Sequence, residues 1–364
     1  MRRVKACATL AALTLLWACS HEVQAEGFWS SKPGAVKIGF IGSLSNFAAA
    51  YGQAVLDGAR LAVEEINGTG ASALQLIVED DGSETRKTVT AYQKLVTADK
   101  VDALVAGSWW ADSLPPFLKK DRMVLLSCET VFDKGTIPAE TYFIMLGDLR
   151  DWVRVFEPLI EKKGWKTGAV LRFTSGFAQT IAEEMKKVFS KDGRRLLADF
   201  EYATFDARDS FPALLKLGRL RPQVLYVDAQ PQSFSVILRR LEELRLNEIT
   251  VLTNAIGRDV IQQKLIDASR VQEYYFSQRQ ILGTGFPQHF RRRYGKEPEL
   301  NSDLGYLAVY LIYQAFQSND PLQAIKRGDL EVDGVKLAFD QRNVLTGIKH
   351  QVYAVKKGKV ELLY

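Results

Sequence analysis

Val36-Lys37-Ile38-Gly39-Phe40-Ile41, followed by a longer amphipathic stretch that Gly68 closes, decides how this chain is read. The first run is short, apolar and β-branched, as a buried strand requires. The stretch over 48–67 then carries Val55, Ala59, Ala62, Val63 and Ile66 at helical spacing, which gives a helix one apolar face. Gly68 is a helix stop. A buried strand leading straight into an amphipathic helix is the opening of a parallel sheet covered by helices.

Working outward, the alternation repeats. A strand over 74–78, a helix over 84–98 and a strand over 101–106 follow, then a short helix containing Pro115 and Pro116, apolar runs at 123–126 and 142–145, and a helix over 151–163 with Trp152, Val155, Phe156 and Leu159 on its buried side. A second series places strands at 168–173, 196–200, 224–227, 250–253 and 272–277, with helices at 177–189, 211–217, 233–244 and 259–266 between them. The segment 286–317 reads as helical, and 334–339 and 353–363 as strand-like. Two α/β lobes fit this length better than one long sheet. The expected division is 36–148 plus 279–332 for the N-terminal lobe and 149–278 plus 333–364 for the C-terminal lobe. No Gly/Ser/Pro-rich tether lies between them, so the crossings are ordered segments.

The 364 residues are 47% hydrophobic and 25% charged, ordinary for a globular protein, and 48 basic against 43 acidic residues give only +5. That balance argues against a nucleic-acid surface. Residues 1–25 read as an export signal: Arg2, Arg3 and Lys5 precede an apolar run ending at Ala18, and Val23-Gln24-Ala25 is a small-residue cleavage site. Leu16-Trp17-Ala18-Cys19 resembles a lipobox, so acylation at Cys19 is a second reading. With cleavage after Ala25, Cys128 is the lone cysteine of the exported chain, whose stability then rests on core burial without an intramolecular disulfide.

The motifs of catalysis are missing. There is no Gly-x-x-x-x-Gly-Lys-Ser/Thr loop, no Gly-x-Gly-x-x-Gly between strand and helix, and no Gly-x-Ser-x-Gly elbow. His289 and His350 are too isolated to build a metal or triad site by themselves, and Arg239-Arg240 and Arg291-Arg292-Arg293 read as solvated helix faces. Asp80-Asp81-Gly82 reads as a turn and helix cap. Neither cofactor, metal nor enzymatic activity is expected.

The stretch Ile38-Gly39-Phe40-Ile41-Gly42-Ser43-Leu44-Ser45, with Tyr51-Gly52, Asp57-Gly58-Ala59-Arg60-Leu61-Ala62-Val63-Glu64-Glu65-Ile66-Asn67, Val78-Glu79-Asp80-Asp81 and Val105-Ala106-Gly107-Ser108, resembles the type I periplasmic solute-binding proteins. In particular it looks like the leucine/isoleucine/valine-binding family of ABC importers. The resemblance spans essentially the whole chain after the signal. It implies two Rossmann-like lobes, parallel sheets flanked by helices, joined by three crossovers, with a small-molecule ligand held between them. A monomer in the periplasm that docks on an inner-membrane ABC permease is expected.

The resemblance also supplies a ligand-binding set: Tyr51 in the first loop, Ser108, Trp109, Trp110 and Asp112 after the third strand, Glu129 and Thr130 in the next loop, and Phe177 and Gln230 in the second lobe. Where amino-acid binders place small hydroxyl residues for an α-carboxylate, this chain offers adjacent tryptophans. The family's acidic partner for an ammonium maps near Ala255, so that acid is absent unless Asp228, Glu129 or Asp112 replaces it. Both departures argue against an ordinary branched-chain amino acid. Two readings stand: the binding component of an importer, or a periplasmic sensor subunit reporting ligand to a membrane receptor.

Overall fold

The computed structural model describes residues 36–70, 74–129, 139–267 and 271–364. The signal 1–25, Cys19 and Thr130 lie outside these residues. Five parallel strands, β1 (Val36–Gly42), β2 (Leu74–Asp80), β3 (Ala103–Gly107), β4 (Leu125–Ser127) and β5 (Tyr142–Ile144), form one sheet in the order β2-β1-β3-β4-β5. A second sheet carries β6 (Thr167–Phe173), β7 (Arg195–Tyr202), β8 (Val224–Asp228), β9 (Thr250–Thr253) and β10 (Tyr274–Arg279) in the matching order β7-β6-β8-β9-β10, again parallel. In both, the strand order reverses beside the lobe's first strand. Loops leaving the carboxyl ends there part to opposite faces and open a crevice.

Helix Ala49–Gly68 forms where the apolar spacing places it, with Val55, Ala59 and Ala62 fully buried. It packs on helix Ser302–Ala315 with almost no space between the backbones: a Cβ on Gly58 would stand 1.7 Å from the Ser302 carbonyl oxygen, and one on Gly305 2.0 Å from that of Val55. Two facing glycines permit this approach. Ile38, Phe40 and Val105 bury completely on the face these helices cover, and Leu104 and Leu125 on the opposite face of the sheet, each worth about 1.5–3 kcal/mol relative to exposure.

Some helices are shorter than expected, for local reasons. The 151–163 stretch is two helices, Asp151–Arg154 and Glu157–Lys163, because Pro158 has no N–H to continue the ladder to Arg154. The 286–317 stretch divides into Phe286–Tyr294 and Ser302–Ala315, the first ended by Gly295 at φ 67°.

The chain leaves the first sheet after β5, builds the second through β10, and returns to pack Ser302–Ala315 on the first lobe. A small hairpin, β11 (Glu331–Val332) with β12 (Val335–Lys336), follows. The stretch after it departs from the expected boundary at 333. Val344 bridges Ile144 of β5, and the Leu345 N–H donates to the Ile144 carbonyl at 2.8 Å, so this segment belongs to the first lobe. Only at β13 (His350–Lys356), antiparallel to β10 and followed by β14 (Lys359–Leu362), does the chain join the second sheet. The second and third crossings run side by side, with the Gln280 N–H donating to the Lys349 carbonyl at 2.8 Å. Cys128 is buried and free, and among the described residues no helix is long and apolar enough to cross a membrane.

Candidate ligand-binding cleft

A cavity of about 740 Å³ lies between the two sheets, walled almost entirely by residues at or just beyond strand carboxyl ends. The first lobe contributes Phe47 and Tyr51 after β1, Trp109, Trp110 and Asp112 after β3, and Glu129 after β4. The second contributes Phe173, Ser175, Gly176 and Phe177 at the end of β6, Phe205 after β7, Asp228 to Gln230 at the end of β8, and Asn254 to Ile256 with Asp259 after β9. Such a volume suits a small organic molecule.

Aromatic rings form most of the apolar wall. Trp109 and Trp110 lie near-parallel, 6.1 Å apart; Tyr51 packs on Trp109 at 5.3 Å, and Phe47 meets both indoles edge-on at 5.8 and 5.6 Å. Across the cleft Phe47 also touches Phe205 at 5.0 Å, and Phe205 leans on Phe173 at 5.1 Å. Phe47 and Phe205 are each about half exposed, 51% and 52%, and so form the rim where the lobes meet. Deeper, buried Trp152 meets Phe177 edge-on.

The tryptophan loop is fixed from behind. Asp81, fully buried, accepts from the hydroxyls of Ser43 (2.9 Å), Thr88 (3.1 Å) and Ser108, and from the Ser83 N–H (2.9 Å). Ser108 Oγ in turn accepts from the Trp110 N–H at 3.1 Å. Ser108 therefore does not line the cavity: its hydroxyl ties the indole loop to the first βα loop, and its role is positioning. Asp80 is the turn residue that the sequence suggests, accepting from the Leu44 and Gly82 N–H groups.

Four carboxylates line the cavity, Asp112, Glu129, Asp228 and Asp259, and among the described residues no Lys, Arg or His joins them. Burial pushes Glu129 up to about 7, against hydrogen bonds from Asn301 (Nδ2 to Oε1, 2.9 Å) and the Trp109 indole. Burial likewise pushes Asp228 up to about 7, although Asn254 Nδ2 donates to it at 3.1 Å and the Arg172 charge pulls the other way. Asp259 is raised by burial too; it accepts from the Tyr51 hydroxyl at 2.9 Å, with Arg258 3.9 Å away. Carboxyls raised together by desolvation lack a full countercharge.

Of the residues expected from the sequence, Tyr51, Trp109, Trp110, Asp112, Glu129, Phe177 and Gln230 line this one cavity, Ser108 stands behind it, and Thr130 lies outside the described residues. Sequence reasoning missed Phe47, Trp152, Phe173, Phe205, Asn301 and Asp259. Asp259 had a signal: it stands four residues, one helical turn, beyond Ala255, so the side chain reaches the same wall. Phe205 was hidden because β7 runs two residues past the expected end, to Tyr202.

Lobes of matching strand order, with the cavity at their facing carboxyl edges, define a class of two-lobed binding proteins. The chain belongs to the periplasmic binding protein family, whose model matches residues 35–353. Among solved structures, it is similar to the branched-chain amino acid transporter substrate-binding protein LivJ of Streptococcus pneumoniae in complex with isoleucine (21% identity, 90% of this chain and 99% of that one, TM-score 0.73). It is similar also to a solute-binding protein from R. palustris in complex with benzoate (17%, 91% and 96%, TM-score 0.74) and to the leucine-binding protein LivK of Thermotoga maritima (16%, 91% and 98%, TM-score 0.77). At these identities the likeness is one of fold. No curated protein matches in sequence.

Proposed function

We propose that the protein is the exported binding component of an ABC importer, capturing a small organic solute between its lobes by hinge closure and presenting it to an inner-membrane permease, with no chemistry of its own. The observation that carries this reading is the cavity itself: both lobes wall it, and ordered crossings join them. Affinity would come from burying the ligand against the aromatic wall, with polar groups fixing its orientation. Hinge motion of packed lobes about a few crossing residues is an established way to open such a site.

The testing experiment is native mass spectrometry of the chain purified from its own host, followed by small-angle scattering with and without the recovered compound. A bound small molecule whose addition compacts the open protein supports the reading. A protein that recovers nothing from host extract and whose dimensions no extract fraction changes overturns it.

A further inference from the structure

We infer, resting on that reading, that the solute is a small organic cation: an ammonium or quaternary ammonium group on an apolar or aromatic body, without a carboxylate. The charge of the cavity is one-sided. Asp112, Glu129, Asp228 and Asp259 line it, and among the described residues no basic side chain does. Two of the guanidinium groups near the cavity are committed elsewhere. Arg279 is fully buried and pairs with Asp303, also fully buried, at 2.6 Å. Arg172 lies between Asp199, 2.8 Å away, and Glu201. The third, Arg258, stands 3.9 Å from the Asp259 carboxylate and offsets part of that one acid's charge, leaving Asp112, Glu129 and Asp228.

Several of the backbone groups that could receive an anion are committed as well. A helix N-terminus binds anions through free N–H groups, but the helix Pro115–Asp121 begins with two prolines, which have none. In the turn before it, the Ser113 and Leu114 N–H groups donate to the Trp110 and Ala111 carbonyls. In the second lobe Ser175 Oγ accepts from the Ala178 N–H, Asn254 Oδ1 from the Ile256 N–H, and Pro231 opens the Pro231–Glu243 helix. A ligand carboxylate entering here meets four acids and, among the described residues, no basic side chain.

A cation finds the reverse. Indole and phenyl faces attract a cation by their quadrupole, most strongly when water is excluded, and carboxylates supply charge-assisted contacts. The acids are also spread over both lobes: Asp112 and Glu129 on one, Asp228 and Asp259 on the other. Among the described residues no three of them cluster as metal ligands do, so an organic cation fits and a chelated metal ion does not. The upward displacement of Glu129, Asp228 and Asp259 agrees with a missing positive charge that a ligand brings.

The experiment titrates the mature protein with benzyltrimethylammonium, phenethylammonium, isoleucine and benzoate, read by tryptophan fluorescence and calorimetry. The expected result is saturable binding of the ammonium probes, weakened by about tenfold or more in Glu129→Gln and in Asp259→Asn, the scale of one lost hydrogen bond to a charged group. Near-ultraviolet dichroism checks that each variant stays folded, and Asp112→Asn, at the exposed rim, is the reserve variant. Binding of isoleucine or benzoate with no response to either ammonium overturns the cation but leaves the solute-binding reading standing. So does binding of ammonium probes that both carboxamide variants leave unchanged. If no probe of either sign binds, the cation falls, and the host-extract experiment decides the solute-binding reading separately.

Discussion

The Tyr51 hydroxyl donates to Asp259 Oδ2 at 2.9 Å, joining the opening helix of the first lobe to the Ile256–Gln262 helix of the second. These residues stand 208 positions apart, and the bond exists only when the lobes meet. Removing the hydroxyl in Tyr51→Phe keeps the ring on Trp109 but takes a charge-assisted bond from the closed form alone. That bond is worth about 1.5–3 kcal/mol, enough to move the closed-to-open ratio by about tenfold or more. The expected outcome is a larger radius of gyration for the unliganded variant in small-angle scattering, with thermal stability of each lobe little changed. An unaltered scattering profile would show that this bond does not hold the lobes together.

Ser108→Ala removes a hydroxyl that bridges buried Asp81 and the Trp110 N–H. Asp81 keeps Ser43, Thr88 and the Ser83 N–H as donors, so the charge is not orphaned, but the indole loop loses its tie. A loss of about 1–3 kcal/mol is expected, measured by urea unfolding. The near-ultraviolet dichroism of the tryptophans should change with it. A loop held by ring packing alone would leave that spectrum as in the parent.

The raised acids set a pH dependence whose sign is definite. Glu129 and Asp228 titrate near 7 in the folded protein and near 4 when unfolded. Between about pH 4 and 7 the folded state therefore binds more protons than the unfolded one, and the contribution of these two groups to stability falls as pH rises through that window. Asp228→Asn retains an acceptor for Asn254 and removes one of the two titrations. Its unfolding free energy should fall less steeply than the parent's across that window, as read from urea melts at several pH values. Parallel slopes would mean that Asp228 is already ionised in the folded state at the acid end.

The fold and seven of the 23 residues of the site wall were legible because they depend on local pattern. The spacing of Val55, Ala59 and Ala62 placed the first helix, and loops after β-branched runs placed Trp109, Trp110 and Glu129 at the cleft. What was hidden depends on geometry between distant segments. Ser108 sits in a ligand loop by sequence, yet a buried carboxylate 27 residues earlier captures it. Phe47 and Phe205 are unremarkable loop residues until the meeting of the lobes brings their rings into contact. The boundary at 333 was misplaced because the tie of Val344 to Ile144 is a single bridge between segments two hundred residues apart. Asn301, at φ 73°, reaches Glu129 from a loop with no periodicity to read.

The Gly58 and Gly305 pair yields the last prediction, and its outcome is a matter of coupling. Alanine in a helix normally stabilises by about 1 kcal/mol over glycine, so both substitutions should help if space allowed. It does not: the new Cβ atoms would meet backbone carbonyl oxygens at 1.7 and 2.0 Å, and backbone cannot rotate aside as a side chain can. Each single variant must push helix Ala49–Gly68 away from Ser302–Ala315, at a net loss of about 1–3 kcal/mol by overpacking. Once one alanine has separated the helices, the second finds room already made and also regains its helix propensity. Gly58→Ala with Gly305→Ala should therefore be less destabilised than the sum of the two singles by about 0.5–3 kcal/mol, the range for residues that share a backbone shift. Urea unfolding of the four proteins closes the cycle. Strict additivity would mean that the two sites yield independently, and that the helices are not held apart by one common contact.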